Sequence, residues 1–271
     1  MKFSISSTLH MRKAFFALIM LAFFSACSKT ETISTLSINE LIPLQVGKYI
    51  TYRLDSLVFV NVGKTQEIHK YRIKHLIESK TTDNLNRPAW LVRTYINDTL
   101  GSGPWVPSGV YIITAVDKRV EVNENNLRVI KIQLPAKEGF SWKGNTYLPN
   151  RPYNPDYPIS IDGNMSLWDF TYDILDTKQR IGTADIENVT TITHINESEN
   201  YPLIKDTSFA SRELSLEKYA KNIGLVYREF ELWENQPRPK TVKTGFPPRD
   251  TIVFDPVRIG FGIKMWMVDK N

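Results

Sequence analysis

The side chain with the widest chemical range in this chain is the thiol of Cys27, the only cysteine among 271 residues. A thiol can serve as a nucleophile, a metal ligand, half of a disulfide or a lipid attachment point. Cys27 directly follows an uncharged, mostly apolar stretch, residues 14–26, which three basic residues precede. This order of a basic region, an apolar region and small residues is typical of an export signal. We therefore predict that residues 1–26 form a helical signal peptide that is cleaved.

Two other interpretations of this leader fit less well. A membrane-spanning helix needs roughly 20 apolar residues to cross a hydrocarbon core of about 30 Å, whereas the uncharged stretch has 13. A soluble exported protein has no need of a cysteine at this point. The segment Phe23-Phe24-Ser25-Ala26-Cys27 resembles the lipobox of bacterial lipoproteins. Phe24 replaces the usual leucine, a departure tolerated among lipoproteins of Bacteroidota.

The resemblance implies that a lipid is attached to the sulfur of Cys27 and that the freed amine is acylated after cleavage. Several acyl chains on one residue hold a protein at a bilayer, whereas a single chain binds only marginally. Because lipidation consumes the only thiol, disulfides, zinc thiolate sites and cysteine catalysis are excluded. Surface-exported Bacteroidota lipoproteins carry an acidic cluster after the cysteine, but Ser28-Lys29-Thr30-Glu31 offers one acid. The resemblance thus implies an outer-membrane protein and favours the periplasmic leaflet.

The histidines do not predict a metal site. His69 and His75 fall on one face of a predicted strand, but they are six residues apart in sequence. At roughly 3.3 Å per residue they stand about 20 Å apart, too far to share an ion. His194 lies in another predicted strand. We expect structural roles for these histidines, with no metal and no cofactor.

The densest group of carboxylates is Glu229, Glu231 and Glu234. On a strand, Glu229 and Glu231 share a face with Tyr227 and Trp233. Such a face could hydrolyse a sugar or bind a cation, but an exposed strand face explains the same residues more simply. The chain has no G-x-S-x-G nucleophile motif and no phosphate-binding glycine loop. We therefore predict no catalytic residue and no enzyme activity.

Charge argues against a nucleic-acid partner. Three of the 34 basic residues lie in the predicted leader, so the mature chain holds 31 basic and 29 acidic residues. No basic run with interleaved aromatic residues occurs. The predicted partners are the membrane, through the lipid on Cys27, and a lipid, a peptide or an envelope protein as ligand.

Three short motifs are similar to the O-glycosylation pattern of exported Bacteroidota proteins, which is Asp, then Ser or Thr, then an apolar residue. The acceptors would be Ser56 in Asp55-Ser56-Leu57, Thr99 in Asp98-Thr99-Leu100 and Thr251 in Asp250-Thr251-Ile252. A pattern this short also occurs by chance, so these three residues are modification candidates.

Beyond the leader, apolar residues recur with a period of two in short segments that glycine, proline, asparagine and aspartate bound. The predicted strands are residues 49–60, 68–78, 89–96, 110–116, 119–122, 127–134, 167–175, 185–195, 225–233 and 259–268. Asn125 and Asn126 tolerate the positive φ of a tight turn, so the strands on either side should pair. We predict an all-β fold, a single strongly curled antiparallel sheet or half-open barrel with at most one or two short helices.

The expected organisation is a cleaved leader, a lipidated tether over residues 27–41 and one β-rich domain over residues 42–271. Residues 216–221 are predicted as a short helix, and the proline-rich stretches 149–158 and 236–249 as long loops. A boundary near residues 150–163 could instead separate two half-domains, but strands of the same style lie on both sides.

Three further segments, Ile42–Tyr52, Lys137–Asn145 and Tyr219–Glu229, resemble segments of uncharacterised Bacteroidota lipoproteins. More loosely, they are similar to the curled sheets of periplasmic lipoprotein carriers. The resemblance implies an architecture and no activity.

Two classes of function remain open. The first is a non-enzymatic envelope lipoprotein whose sheet presents a concave apolar face, with Phe261, Ile263, Met265 and Met267 as candidate cavity walls. The second is an accessory component that binds or hydrolyses glycans through Glu229, Glu231 and Trp233.

Overall fold

The computed structural model describes residues 36–202, 205 and 207–271 and shows an all-β fold. Cys27, the predicted leader and most of the predicted tether lie outside the described residues. The helical elements of the described part are α1 (Ile38–Leu41) and a 3₁₀ helix (Ile161–Leu167). The strands in the described part are β1 (Tyr49–Val60), β2 (Thr65–Thr82), β3 (Pro88–Asn97), β4 (Val106–Val116), β5 (Arg119–Glu124), β6 (Leu127–Gln133), β7 (Ser141–Trp142), β8 (Phe170–Ile181), β9 (Ala184–Glu199), β10 (Ala210–Ala220), β11 (Gly224–Asn235), β12 (Arg238–Thr244), β13 (Arg249–Asp255) and β14 (Arg258–Lys270).

Twelve of the described strands form one antiparallel sheet in the order β6-β5-β4-β3-β2-β1-β14-β11-β10-β9-β8-β7. The sheet curls until its two edges meet. The Ile130 amide of β6 donates a hydrogen bond to the Gly144 carbonyl just after β7, at 2.8 Å. The Trp142 indole donates to the Ile130 carbonyl at 2.9 Å. The predicted curled sheet is confirmed, and it runs unbroken through both halves of the chain.

Turn chemistry and glycine explain two features of this sheet. Asn125 and Asn126 have φ values of 51° and 63° and join β5 to β6, as predicted. Gly260 in β14 has a φ of 116°, and a Cβ there would lie 2.1 Å from the Leu232 carbonyl oxygen. Only glycine fits so close an approach between two backbones.

The core lies on the concave side of the sheet, and a long loop covers part of it. Tyr153 and Tyr157 of this loop pack on Phe261, with ring centroids 5.3 Å and 5.0 Å away. Met265 is buried beside Tyr52. Phe261 and Met265 therefore belong to the packed core, and the prediction that they line a cavity is wrong. The walls of the interior cavities come from other residues of the described chain.

Two local predictions are wrong. Residues 216–221 lie mostly in β10, where pairing with β9 and β11 outweighs their helix-forming composition. Residues 236–249, predicted as a loop, contain β12, which pairs with β13 in a separate two-stranded ribbon. A ribbon without further neighbours tolerates Pro239 because the missing amide is not needed by an adjacent strand.

Regular structure is already present before Ile42, the predicted start of the domain. A capping box joins Ser37 and Glu40 at the start of α1, and Leu36 and Leu41 are buried. The stretch 149–158 is a loop, as predicted.

Candidate functional site

Two adjoining cavities of about 100 Å³ and about 80 Å³ lie inside the curled sheet. Both are lined by Val122, Glu124, Lys131 and Arg228, and together we call them the interior chamber. The larger cavity is otherwise walled by apolar residues and by polar side chains, which include Tyr52, His75, Tyr111, Glu217 and Tyr219. The smaller one is closed by aromatic residues, which include Tyr153, Trp168, Phe170 and Phe230.

Glu217 of β10 is the centre of an ionic cluster in this chamber. The Lys131 Nζ of β6 lies 2.7 Å from Glu217 Oε1. The Tyr219 hydroxyl donates a hydrogen bond to the other carboxylate oxygen at 2.7 Å. Arg228 of β11 stands further away, with its Nε 3.6 Å from Glu217 Oε1. Glu217 and Arg228 pair across neighbouring strands, and the curled sheet brings Lys131, which is 86 positions from Glu217 in sequence, to the same point.

Burial and charge act in opposite directions on these groups. Burial raises the pKa of Glu217, but the positive charges of Lys131 and Arg228 and the nearby His194 outweigh it and lower that pKa to about 2. Burial lowers the pKa of Lys131, and the contact with Glu217 opposes this effect. Burial also lowers the pKa of Arg228, but the carboxylates of Glu124 and Glu217 raise it above its usual value. Glu217 is therefore ionised at neutral pH and holds its cations in place.

Two histidines reach the chamber from different strands. The His75 Nδ1 of β2 lies 3.0 Å from the Tyr111 hydroxyl, and burial lowers the pKa of His75 to about 4. The His194 ring of β9 stacks on Phe170 with centroids 3.6 Å apart, and its Nδ1 lies 2.8 Å from Ser215 Oγ. Burial holds the pKa of His194 well below 6.5. Both imidazoles are therefore neutral at pH 7 and add no charge to the chamber.

The third histidine of interest lies elsewhere. His69 is exposed, and its Nε2 is 2.8 Å from Glu67 Oε2. Within the part of the chain that the structure describes, no group of three or more histidine, cysteine, aspartate and glutamate residues could hold a metal ion.

Two β-bulges determine the direction of the Lys131 and His194 side chains. On β6, Ile132 pairs with Val120 and Ile130 pairs with Glu121, so Lys131 is an extra residue with no counterpart on β5. On β9, the neighbours of His194 pair with consecutive residues of β10, which leaves His194 as the extra residue. A bulge re-aims a side chain and interrupts the alternation of faces. Lys131 and His194 point into the chamber for this reason.

Sequence reasoning did not identify Lys131, Glu217 or Arg228. Glu217 and Arg228 share their strands with other charged residues, such as Glu213 on β10 and Glu229 on β11, so composition did not single them out. The direction of the Lys131 side chain depends in addition on the bulge in β6, which no local pattern reveals.

Comparison of the chain with protein-family models, with curated proteins and with solved structures finds no match. The chamber must therefore be interpreted from its own chemistry.

The predicted carboxylate cluster divides between the two faces of the sheet. Glu229 and Glu231 line an open groove of about 280 Å³ on the convex face together with Trp233, as their spacing predicts. Glu229 accepts a hydrogen bond from Tyr227 at 2.5 Å, and Glu231 accepts one from the Trp233 indole at 3.1 Å. Glu234 is fully buried on the other side, where both of its oxygens accept hydrogen bonds from the Ser160 amide at 3.0 Å. Each carboxylate therefore has a structural partner, and the three do not converge.

The three glycosylation candidates have different surroundings. Ser56 lies half-buried in β1 between β2 and β14. Thr99 follows β3, and its hydroxyl donates a hydrogen bond to the Lys70 carbonyl at 2.8 Å. Thr251 is exposed on β13 of the ribbon. A sugar on any of them stays a prediction; Thr251 is the most exposed of the three residues, and its hydroxyl shares a hydrogen bond with Thr244.

No helix in the described ranges combines the length and the apolar character needed to cross a bilayer.

Proposed function

We propose that this protein is a lipid-anchored component of the cell envelope that binds a small molecule in its interior chamber and does not catalyse a reaction. The observation that carries the proposal is the chamber itself, where charged groups line a cavity inside the curled sheet. Burying an ion costs several kcal/mol, and well-packed apolar residues are often at least as stabilising. A buried ion pair that adds little net stability is expected where a ligand needs its charges.

The volume of the chamber limits the ligand. An apolar cavity of about 150 Å³ in another protein holds one benzene molecule. Two adjoining cavities of about 100 Å³ and about 80 Å³ therefore suit together a ligand of about the size of benzene or slightly larger. This size argues against the acyl chains of a lipid, which was one of the predicted ligands, and favours a small polar molecule.

The anchoring half of the proposal rests on the leader and on Cys27. Eight residues separate Cys27 from Leu36, where the described chain begins. At no more than about 3.5 Å per residue, a segment of this length can reach at most roughly 30 Å. A lipid on Cys27 would thus keep the binding domain close to the outer membrane, with the periplasmic leaflet favoured.

The first test concerns the anchor. Changing Cys27 to alanine in the native host is expected to move the protein from the membrane fraction to the soluble fraction, because no other thiol can take the lipid. Fractionation with a carbonate wash measures this, and the neighbouring change Ser28→Ala is the matched control. A Cys27→Ala protein that stays with the membranes would contradict the anchor.

The second test concerns the chamber. Native mass spectrometry of the protein extracted from its host in mild detergent should reveal a bound small molecule. Val122→Phe fills the space that the two cavities share and is expected to abolish this added mass. Val62→Phe, at a side chain that is 80% exposed, is the control and should retain it.

A thermal unfolding curve establishes that Val122→Phe folds. If the unaltered protein carries no small molecule in such spectra, or if Val122→Phe carries the same one, the proposed binding function is wrong.

A further inference from the structure

Arg228 and Glu124 are the two charged groups of the chamber whose hydrogen-bonding capacity is open. The shortest contact between them, from Arg228 Nη1 to Glu124 Oε2, is 3.6 Å, which is too long for a hydrogen bond. Arg228 is equally far from Glu217. Among the described residues, no acceptor takes a hydrogen bond from this guanidinium, and no donor gives one to the Glu124 carboxylate. Both groups line both cavities.

Other arginines of the same chain show what a structural pair looks like. Arg93 binds both oxygens of Glu78, at 2.7 Å and 2.8 Å. Arg87 lies 2.6 Å from Asp83 and 2.5 Å from Glu121. A guanidinium has five donors in a planar fork that matches a carboxylate. Arg228 makes no such hydrogen bond to another described residue, and 22% of its side chain and 43% of the Glu124 side chain are exposed.

Charge balance selects the kind of ligand. Lys131 and Arg228 bring two positive charges to the chamber, and Glu124 and Glu217 bring two negative charges. A ligand with a net charge would upset this balance, which is costly for the largely buried Lys131, Glu217 and Arg228. A ligand with one positive and one negative group keeps the chamber neutral and provides a partner for each open group.

We infer that the interior chamber binds a small zwitterion, of the class of the α-amino acids, with its carboxylate on Arg228 and its ammonium group on Glu124. A short apolar side chain would pack on Val122, Ile77 and Ile113, which line the larger cavity. The inference rests on the proposed binding function and names its ligand class.

The test uses the purified full chain and four free amino acids, glycine, alanine, serine and valine, in isothermal titration calorimetry. At least one is expected to bind. Valine is compared with 3-methylbutanoate, which lacks the ammonium group, and with 2-methylpropylamine, which lacks the carboxylate. Both analogues are smaller than valine, so a steric clash cannot explain weaker binding. Each loses a charge-assisted hydrogen bond and should bind roughly 10- to 100-fold more weakly.

Two variants assign the ends of the ligand. Arg228→Gln should weaken valine and 3-methylbutanoate and leave 2-methylpropylamine unaffected. Glu124→Gln should weaken valine and 2-methylpropylamine and leave 3-methylbutanoate unaffected. Because loss of folding would weaken all three compounds together, this crossed pattern separates recognition from stability. Arg93→Gln, which removes a pair outside the chamber, is the matched control.

Three outcomes contradict the inference in different ways. If 3-methylbutanoate binds as well as valine, the chamber takes an anion and not a zwitterion. If none of the four amino acids binds but mass spectrometry finds a molecule that Val122→Phe expels, the ligand class is wrong and the binding function stands. If neither experiment finds a ligand, both proposals fail.

Discussion

Replacing Glu217 by leucine is expected to lower the free energy of unfolding by about 3–5 kcal/mol, because it leaves a buried cation without its counter-ion. Lys131, with 13% of its side chain exposed, has its Nζ 2.7 Å from the Glu217 carboxylate. The Tyr219 hydroxyl loses its acceptor in the same change. An unsatisfied buried group adds its own desolvation cost. This is the largest stability effect that we expect from one substitution in the chamber.

Urea unfolding of Glu217→Leu, Lys131→Met and the double variant measures the effect. The double variant should recover most of the loss, because two apolar side chains can replace a buried pair at little cost. The matched control is Glu187→Leu, which breaks an ion pair with Lys178 in which both side chains are more than half exposed. That change should cost less than about 1 kcal/mol. A single Glu217→Leu variant as stable as this control would show that Lys131 reaches water.

Acid is expected to destabilise the protein through His194, and His194→Gln should remove that part of the pH dependence. Burial depresses the pKa of His194 in the folded state well below 6.5, whereas the unfolded chain takes up a proton near 6.5. The unfolded state therefore binds more protons below that pH. Stability is present above about pH 6.5 and is lost as the pH falls toward the folded-state pKa, by about 1.4 kcal/mol per pH unit.

The measurement is the free energy of unfolding of the unaltered protein and of His194→Gln at several values between pH 7 and pH 5. The two curves should converge as the pH falls, since glutamine keeps a hydrogen-bonding group near Ser215 but takes up no proton. His75, whose pKa burial lowers to about 4, adds a slope of the same sign to both proteins. Glu217, with a pKa of about 2, acts only at lower pH.

The control for this experiment is His69→Gln, at an exposed histidine outside the chamber. It should leave the pH dependence unchanged. Parallel curves for the unaltered protein and His194→Gln would mean that His194 reaches water and is protonated in the folded state.

Local sequence patterns predict much of the sheet because strand alternation and turn chemistry act over a few residues. The positive φ values at Asn125 and Asn126 and the pairing of β5 with β6 follow from the residue types alone. The errors arise where pairing between strands outweighs the local preferences of the residues. The helix-forming residues 216–221 lie mostly in a strand because ladders on both sides of β10 bind that backbone. Proline did not prevent β12 because the ribbon has no second neighbour.

The chamber could not be predicted in the same way. A period of two assigns faces only until the first bulge, and the bulges at Lys131 and His194 each change the alternation by one residue. Lys131 and Glu217 are also 86 positions apart in sequence and meet only when the sheet curls. Phe261 and Met265 show the opposite case. Their strand pattern is compatible with a cavity wall, but the loop and the strands that pack on them make them core residues.

The sequence by itself determined the β-rich class of the domain, its short turns and the leader pattern that ends at Cys27, because each of these depends on neighbouring residues. Only the tertiary structure decided which charges are buried together and which stay open. Closure of the curled sheet through Ile130 and Gly144 encloses Glu217, Lys131 and Arg228 in one chamber. Burying these charges is costly, whereas the same charges on an open strand are solvated. Binding of a ligand that pairs with Arg228 and Glu124 is therefore the function that we propose.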